Sequence, residues 1–186
     1  MNAHARTDVS ATMAPLLPVA EVPIRANFLD EERLRKLGES LAKGELDSYF
    51  GLTETDYLAR NKENAAKILE VYLSTNAAQA KGESITPAAQ WLLDNNYLVE
   101  ETIFQIKRDL PPRFLRELPK MDIGNGQRVP RTLAIAWLYV AHVDSTVSSN
   151  SFKAIVDGYQ SIQPLQIGEL WALPSLLRYV LVENLR

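Results

Sequence analysis

The sequence contains no cysteine and only two histidines, His4 and His142. Disulfide bonds, thiolate nucleophiles and zinc sites with cysteine ligands are therefore excluded. Two histidines are also too few to build a multi-histidine metal site within one chain. We accordingly expect this chain to hold no metal and no cofactor.

The chain also lacks a concentration of positive charge and a long hydrophobic run. Its 186 residues include 20 basic and 23 acidic side chains, for a net charge of −3. Because no basic stripe could neutralise a phosphate backbone, we expect no nucleic-acid partner. The best apolar runs, 133–143 and 170–182, fall short of the roughly 18–20 apolar residues that a bilayer span needs. The sequence thus predicts no transmembrane helix in this chain.

Familiar catalytic motifs are absent as well. The sequence has no Gly-rich phosphate loop, no Gly-x-Ser-x-Gly elbow and no His-Glu-x-x-His motif. Glu100 and Glu101 are adjacent, but neighbouring side chains on a helix point about 100° apart and do not converge on one atom. The chain is therefore predicted to lack an active site of its own.

What the sequence does contain is a series of helical patterns. Residues 1–26 show no periodicity and are predicted to form a disordered tail, and residues 27–186 to form one helical domain. Helices are predicted to begin at Asp30, Thr53 and Thr86, where carboxylate or hydroxyl oxygens suit the first turn.

The second half of the chain predicts further helices. Residues 131–142 are apolar on nearly every face, which is typical of a buried central helix. Amphipathic segments follow, the last over residues 167–186, which Pro174 is predicted to kink or divide. The Gly-rich stretch 120–130 is predicted to be a loop. The predicted fold is all-α, an irregular bundle of roughly five to seven helices.

Four aromatic residues are candidates for stacking on a sugar ring: Trp91, Trp137, Tyr159 and Trp171. Each lies within an apolar helical stripe, so helix packing is the favoured interpretation. The adjacent polar run Asp94, Asn95 and Asn96 could contact a sugar, hold two helices in register or lie on the surface. We favour the last two, because isolated Asn and Asp are mostly exposed.

Three further polar residues are candidates for a binding role. His142 and Asp144 could form a proton shuttle oriented by the carboxylate. The favoured alternative is a histidine that suits the negative end of a helix dipole, with Asp144 stabilising the next turn. Glu169 lies near the start of the last predicted helix, and whether it is buried stays open.

Three sequence blocks together are more specific than these local signals. The first is TPAAQWLLDNNYLVEE at 86–101, continued by IKRDLP at 106–111 and RELP at 116–119; the second is PRTLAIA at 130–136 with AHVDS at 141–145; the third is YQSIQPLQIGELWALP at 159–174 with VENLR at 182–186. Their order and spacing over about residues 47–186 resemble the region ahead of the membrane-embedded glucosyltransferase core of cyclic β-1,2-glucan synthases. One departure is Gln166, where Thr or Ser is expected as a helix cap.

The resemblance implies a module of a large inner-membrane enzyme that builds β-1,2-glucan from UDP-glucose. The implied partners are the downstream glucosyltransferase and membrane domains, and the implied location is the cytoplasmic face of the inner membrane. The catalytic residues of such enzymes lie outside the matched blocks, so none is carried over. The abrupt apolar end at Arg186 also favours a fragment of a longer protein.

The expected function is therefore a non-catalytic helical module. The alternatives are a free-standing, cytoplasmic adaptor that binds another protein and, less favoured, a glucan-binding module.

Overall fold

The computed structural model describes residues 23–46, 49, 51–143 and 147–186. Within these ranges the chain forms seven α-helices and one short β-hairpin. The helices are α1 (Glu31–Lys43), α2 (Tyr57–Ala80), α3 (Pro87–Asp109), α4 (Pro112–Glu117), α5 (Arg131–His142), α6 (Ser149–Ile162) and α7 (Ile167–Leu185), and the strands are β1 (Lys120–Asp122) and β2 (Arg128–Pro130). The predicted all-α irregular bundle is confirmed.

Residues 1–22, most of the predicted tail, lie outside the described residues. Residues 23–26, the last four of that tail, are described, and Ile24 and Ala26 pack against the bundle. Ile24 is buried and its backbone N–H donates to Asn184 Oδ1 at 2.8 Å. The Ala26 N–H donates to the carbonyl of Ala141 at 2.7 Å. The packed part of the chain therefore includes residues that the sequence assigned to the tail, because an extended segment bonds to the ends of α5 and α7.

Side-chain caps set the helix starts. Asp30 accepts a hydrogen bond from the Arg33 N–H at 2.8 Å, and Thr86 accepts from the Ala89 N–H at 3.2 Å, as the sequence predicts. The predicted start of the second helix at Thr53 is wrong, because the helix begins four residues later, at Tyr57. Asp56 is the cap instead: its carboxylate accepts from the N–H groups of the second and third helical residues at 3.1 Å.

The central helix of the bundle is α5. Every residue from Thr132 to His142 is buried, as expected for a segment that is apolar on nearly every face. Helix α7 packs along α5, and helices α1 and α6 also contact α5. Helices α2 and α3 pack against each other, and both contact α7. Thus α7 joins the α2/α3 pair to the core, and it runs unbroken through Pro174, which does not divide it.

The stretch predicted as a loop, 120–130, contains a β-hairpin. Its strands pair antiparallel, with Met121 opposite Val129. The connecting turn places Asn125 at a positive φ, flanked by two glycines that share this conformation. Because each strand has only three residues, the sequence offers no alternation long enough to indicate a strand. The hairpin buries Val129 and leads directly into α5.

Candidate functional site

The first polar cluster of interest joins α2 to α7. The Arg60 Nε–H donates to Glu183 Oε1 at 2.8 Å, and the Asn64 amide donates to Glu183 Oε2 at 2.7 Å. The hydrogen bonding between Arg60 and Glu183 is the main reason that the pKa of Arg60 lies above its usual value. The Glu183 carboxylate is therefore held by two side chains of α2, and its lone pairs are occupied within the protein.

A cleft of about 390 Å³ lies beside this ion pair. Two tyrosines of its lining, Tyr57 and Tyr179, pack edge to face with their ring centroids 5.8 Å apart. Burial raises the pKa of both phenols above the usual value, so both stay protonated at neutral pH. The Tyr57 hydroxyl is buried and has no hydrogen-bond partner in the described part of the chain.

The sequence does not indicate this cluster, because the leucines Leu69 and Leu73 of α2 lie on the opposite side of the helix from Arg60 and would be expected to turn inward. In the structure these two leucines are 46% and 56% exposed. The buried face instead carries two asparagines, Asn61 and Asn64. One signal in the sequence could have indicated this face. A helical period connects residues 57, 60, 61, 64 and 68, most of which are polar, and this is the face of α2 that turns inward.

A second polar cluster contains two of the predicted site residues, Glu169 and Tyr159. Glu169 is completely buried and accepts from Arg131 Nε at 2.9 Å and Nη2 at 2.5 Å. The guanidinium of Arg131 lies 5.8 Å from the centre of the Tyr159 ring. The Tyr159 hydroxyl donates to Gln163 at 3.1 Å, and the Gln163 amide donates to the Ala42 carbonyl at 2.7 Å.

This second cluster ties four helices, α1, α5, α6 and α7, to one another. Tyr159 is 1% exposed, so its ring presents no face on which a sugar could stack. The Glu169 carboxylate also accepts from the Gln166 N–H at 2.9 Å, which supplies the reciprocal bond of a capping box. The cluster therefore holds the fold together rather than opening to a substrate.

The other polar candidates do not converge. Asp94, Asn95 and Asn96 each make a hydrogen bond to a residue four positions away within α3, at 2.8, 2.8 and 3.0 Å. His142 is buried, with Nδ1 2.6 Å from the carbonyl oxygen of Asn27, to which it donates. Asp144 lies outside the described residues, so neither the shuttle with His142 nor the favoured turn-stabilising role of Asp144 is tested.

The three tryptophans occupy different environments. Trp137 is buried and lines the cleft beside Arg60, whereas Trp91 and Trp171 are 48% and 78% exposed. For Trp171, the favoured prediction of a packing role is therefore wrong, whereas about half of the Trp91 side chain is covered. An exposed Trp in each case leaves a large apolar ring available to a partner.

A groove with a largely apolar lining lies between α3 and α7. Its volume is about 470 Å³. We call it the α3/α7 groove, and its lining consists of Trp91, Leu98, Val99, Thr102, Arg178, Leu181, Val182, Asn184 and Leu185. Trp91, Leu98 and Leu185 keep substantial exposure, although the two helices pack together beneath them. The sequence indicated an apolar end of the last helix but not that α3 forms the opposite wall.

The described ranges hold no group of three or more His, Asp or Glu residues that could bind a metal ion. None of the helices seen in those ranges combines the length and the apolar character needed to cross a bilayer.

Comparison with known proteins gives one strong similarity. No family model matches the chain. The chain is 50% identical over 163 residues to cyclic beta-(1,2)-glucan synthase NdvB of Rhizobium meliloti (strain 1021). This match covers 88% of the chain but only 6% of that much longer protein. The resemblance to cyclic β-1,2-glucan synthases that the residue blocks predict is thereby confirmed, and NdvB contains further regions that this chain does not match.

Proposed function

We propose that this chain, as a relative of the cyclic β-1,2-glucan synthases, acts as a non-catalytic, amino-terminal helical module of such an enzyme. Its partners in this proposal are the glucosyltransferase and membrane domains of the same enzyme, which uses UDP-glucose at the cytoplasmic face of the inner membrane. The proposal rests on the 50% identity to NdvB over nearly the whole of this chain.

The α3/α7 groove supplies the docking surface in this proposal. Trp91 and Leu98 on α3 face Leu181 and Leu185 on α7 across the groove, and Arg178 adds one charge to its wall. An apolar groove between two helices is the geometry that receives an amphipathic helix or a short apolar segment. Because large exposed apolar patches are rare on proteins that act alone, this surface favours a protein partner.

The non-catalytic part of the proposal rests on the state of the buried carboxylates. Glu169 is held by Arg131, and Glu183 is held by Arg60 and Asn64. A general acid or base must reach the substrate proton, directly or through one water. Neither carboxylate is free to do so without breaking an ion pair that links two helices.

An adaptor that binds a separate protein would use the same groove. This alternative differs from the proposed module only in the identity of the partner.

A glucan-binding role is favoured by the exposed rings of Trp91 and Trp171. It is disfavoured by the burial of Tyr159 and by the hydrogen bonds within α3 that occupy Asp94 and Asn96.

The proposal is tested by titrating this chain with a purified cyclic β-1,2-glucan synthase that lacks the matching segment. We expect a saturable complex whose affinity falls more than about tenfold in Leu98→Glu, because a charge in the groove must be desolvated on docking. Leu73→Glu, on another exposed leucine that lies on α2 outside the groove, is the matched control and should bind like the unaltered chain. Absence of a complex, or equal affinities for both variants, would contradict the proposal.

A further inference from the structure

We infer that a second copy of this chain docks between α2 and α3, so that two copies form a dimer with two-fold symmetry. The docking surface is a groove of about 280 Å³, which we call the α2/α3 groove. Its lining includes Leu69 on α2 and Glu100, Ile103, Phe104 and Lys107 on α3. This groove and the α3/α7 groove flank α3 and share the buried Val99, and the inference is independent of docking on the synthase.

The α2/α3 groove combines a buried floor with protruding apolar side chains. Ile68 and Val99 of its lining are buried, whereas Phe104 and Leu69 are 63% and 46% exposed. Exposed apolar side chains that adjoin an apolar groove mark a surface that another molecule covers. Covering Phe104 and Leu69 would remove their apolar area from water, which favours association.

Two opposite charges bracket Ile103 and Phe104 on α3. Glu100 lies one turn before them and Lys107 one turn after, and a spacing of seven residues puts both on the same face of the helix. Both are exposed and line the groove. Glu100 Oε1 accepts from the Asn96 amide at 3.0 Å, and this neutral donor leaves the charge of the carboxylate uncompensated. Lys107 makes no ion pair within the part of the chain that the structure describes.

This charge pattern is complementary to itself. When two α3 helices lie antiparallel about a two-fold axis that passes between Ile103 and Phe104, Glu100 of each copy lies opposite Lys107 of the other. One axis therefore creates two ion pairs and brings the two Phe104 rings together at the centre. A two-fold interface uses the same patch on both copies, so that patch must complement itself. Parallel helices would instead place like charges opposite each other, which disfavours association.

The pair of helices α2 and α3 is large enough for a dimer interface. The helices contain 24 and 23 residues and lie antiparallel, because the Asn61 amide donates to the Ile103 carbonyl at 3.3 Å and the Gln79 amide donates to Gln90 Oε1 at 3.2 Å. Their shared face is about 35 Å long and about 20 Å wide. That is roughly 700 Å² per copy, close to the area per partner of a standard stable interface. An apolar centre with charged residues around it is also the usual arrangement of such interfaces.

Self-association of the purified chain tests the inference. Sedimentation equilibrium at low salt, over a range of protein concentrations, should show a reversible monomer–dimer equilibrium. Phe104→Glu should weaken the dimer by at least about tenfold, because it places two like charges at the centre of the interface. Since Phe104 is mostly exposed, the variant should fold like the unaltered chain, which circular dichroism checks.

Charge exchange tests the antiparallel arrangement. Glu100→Lys and Lys107→Glu should each weaken self-association by at least about fivefold, because two attractive pairs become repulsive. An equal mixture of these two variants should recover a dimer, since each supplies the charge that the other lacks. Glu101→Lys is the matched control: it makes the same change on the neighbouring exposed residue outside the groove and should dimerise like the unaltered chain. Raising the salt should reduce the differences between the charge variants.

Four results would overturn the inference: a chain that stays monomeric at every concentration, a Phe104→Glu dimer as tight as the original, equal losses in Glu100→Lys and Glu101→Lys, or a mixture that associates no better than its components. Self-association is measured without the synthase, so its failure is distinct from failure of the proposed docking. A monomeric chain whose affinity for the synthase falls in Phe104→Glu would assign the α2/α3 groove to the synthase and overturn the inference as well.

Discussion

Gly38 of α1 and Gly158 of α6 lie where the two helices cross, each against the backbone of the other helix. A Cβ atom at Gly38 would lie 2.1 Å from the carbonyl oxygen of Ile155, and one at Gly158 would lie 2.0 Å from the carbonyl oxygen of Arg35. No side chain can occupy that space, so only glycine allows the two helices to approach so closely. The crossing fixes α1 to the rest of the bundle.

Replacing Gly158 with alanine is therefore expected to destabilise the fold. The new methyl group must push α1 away from α6, and such overpacking lowers the free energy of unfolding by about 1–3 kcal/mol or more. Urea unfolding followed by circular dichroism measures the change. Gly168→Ala is the matched control, because its methyl group would meet only Phe114 at an ordinary contact distance of 3.7 Å. The control should be neutral or more stable by a few tenths of a kcal/mol, since alanine favours the helix.

The buried Arg131–Glu169 pair predicts a second stability effect. Arg131→Met leaves the Glu169 carboxylate buried without its cation and should lower the free energy of unfolding by about 3–5 kcal/mol. The double variant Arg131→Met, Glu169→Leu removes both charges and should recover much of that loss. Denaturant unfolding of the single and double variants tests this. Equal stabilities for the single variant and the unaltered chain would show that the ion pair does not hold α5 to α7.

Much of the fold could be predicted from local sequence signals. Asp30 and Thr86 are caps, and the uniform apolarity of 131–142 predicted the central helix. These features are short-range, because a cap acts on N–H groups within the next three residues. The misplaced start at Thr53 has the same origin: several capping residues lie close together there, and only the folded chain selects Asp56.

The long-range arrangement could not be predicted. Arg60 and Glu183 are 123 positions apart, and no local pattern indicates that they meet. Their contact turns a polar face of α2 inward and leaves Leu73 exposed. The candidate site could not be predicted for the same reason. Tyr159 and Glu169 have the residue types of a binding site, but both are buried between helices. The type of a residue and its spacing in the sequence do not reveal whether another helix or strand covers its side chain.

Tyr57 predicts a stability change with a characteristic pH dependence. Its hydroxyl is buried and without a partner in the described ranges, so Tyr57→Phe should be neutral or more stable by up to about 1 kcal/mol at pH 7. The ring contact with Tyr179 is retained in the variant. Thermal unfolding monitored by circular dichroism measures the difference. A loss of more than 1–2 kcal/mol would mean that the hydroxyl has a stabilising partner.

At alkaline pH the unaltered chain should lose stability. Burial raises the pKa of Tyr57 and Tyr179 in the folded state, while the unfolded state keeps the usual pKa of about 10. Below that pH both states hold the protons and stability is unaffected by them. Above it the unfolded state releases protons first, and the free energy of unfolding falls by up to about 1.4 kcal/mol per pH unit for each tyrosine. Tyr57→Phe should show a shallower decline, and identical slopes would contradict the assignment.

A titration with β-1,2-glucooligosaccharides tests the glucan-binding alternative. Asp94, Asn95 and Asn96 are each hydrogen-bonded to a residue four positions away within α3. Trp171 is not part of the groove that Trp91 lines. We therefore expect no change in tryptophan fluorescence up to millimolar sugar. A saturable change that is lost in Trp91→Phe or Trp171→Phe would instead favour the glucan-binding role.

The account depends most on the α3/α7 groove as the surface that meets the rest of the synthase. Hydrogen–deuterium exchange of this chain, with and without a synthase that lacks the matching segment, tests that claim directly. Peptides covering residues 91–102 and 178–186 should gain protection in the complex, while peptides covering residues 67–79 of α2 should exchange as before. Protection confined to α2, or unchanged exchange along both walls of the groove in a formed complex, would contradict the account.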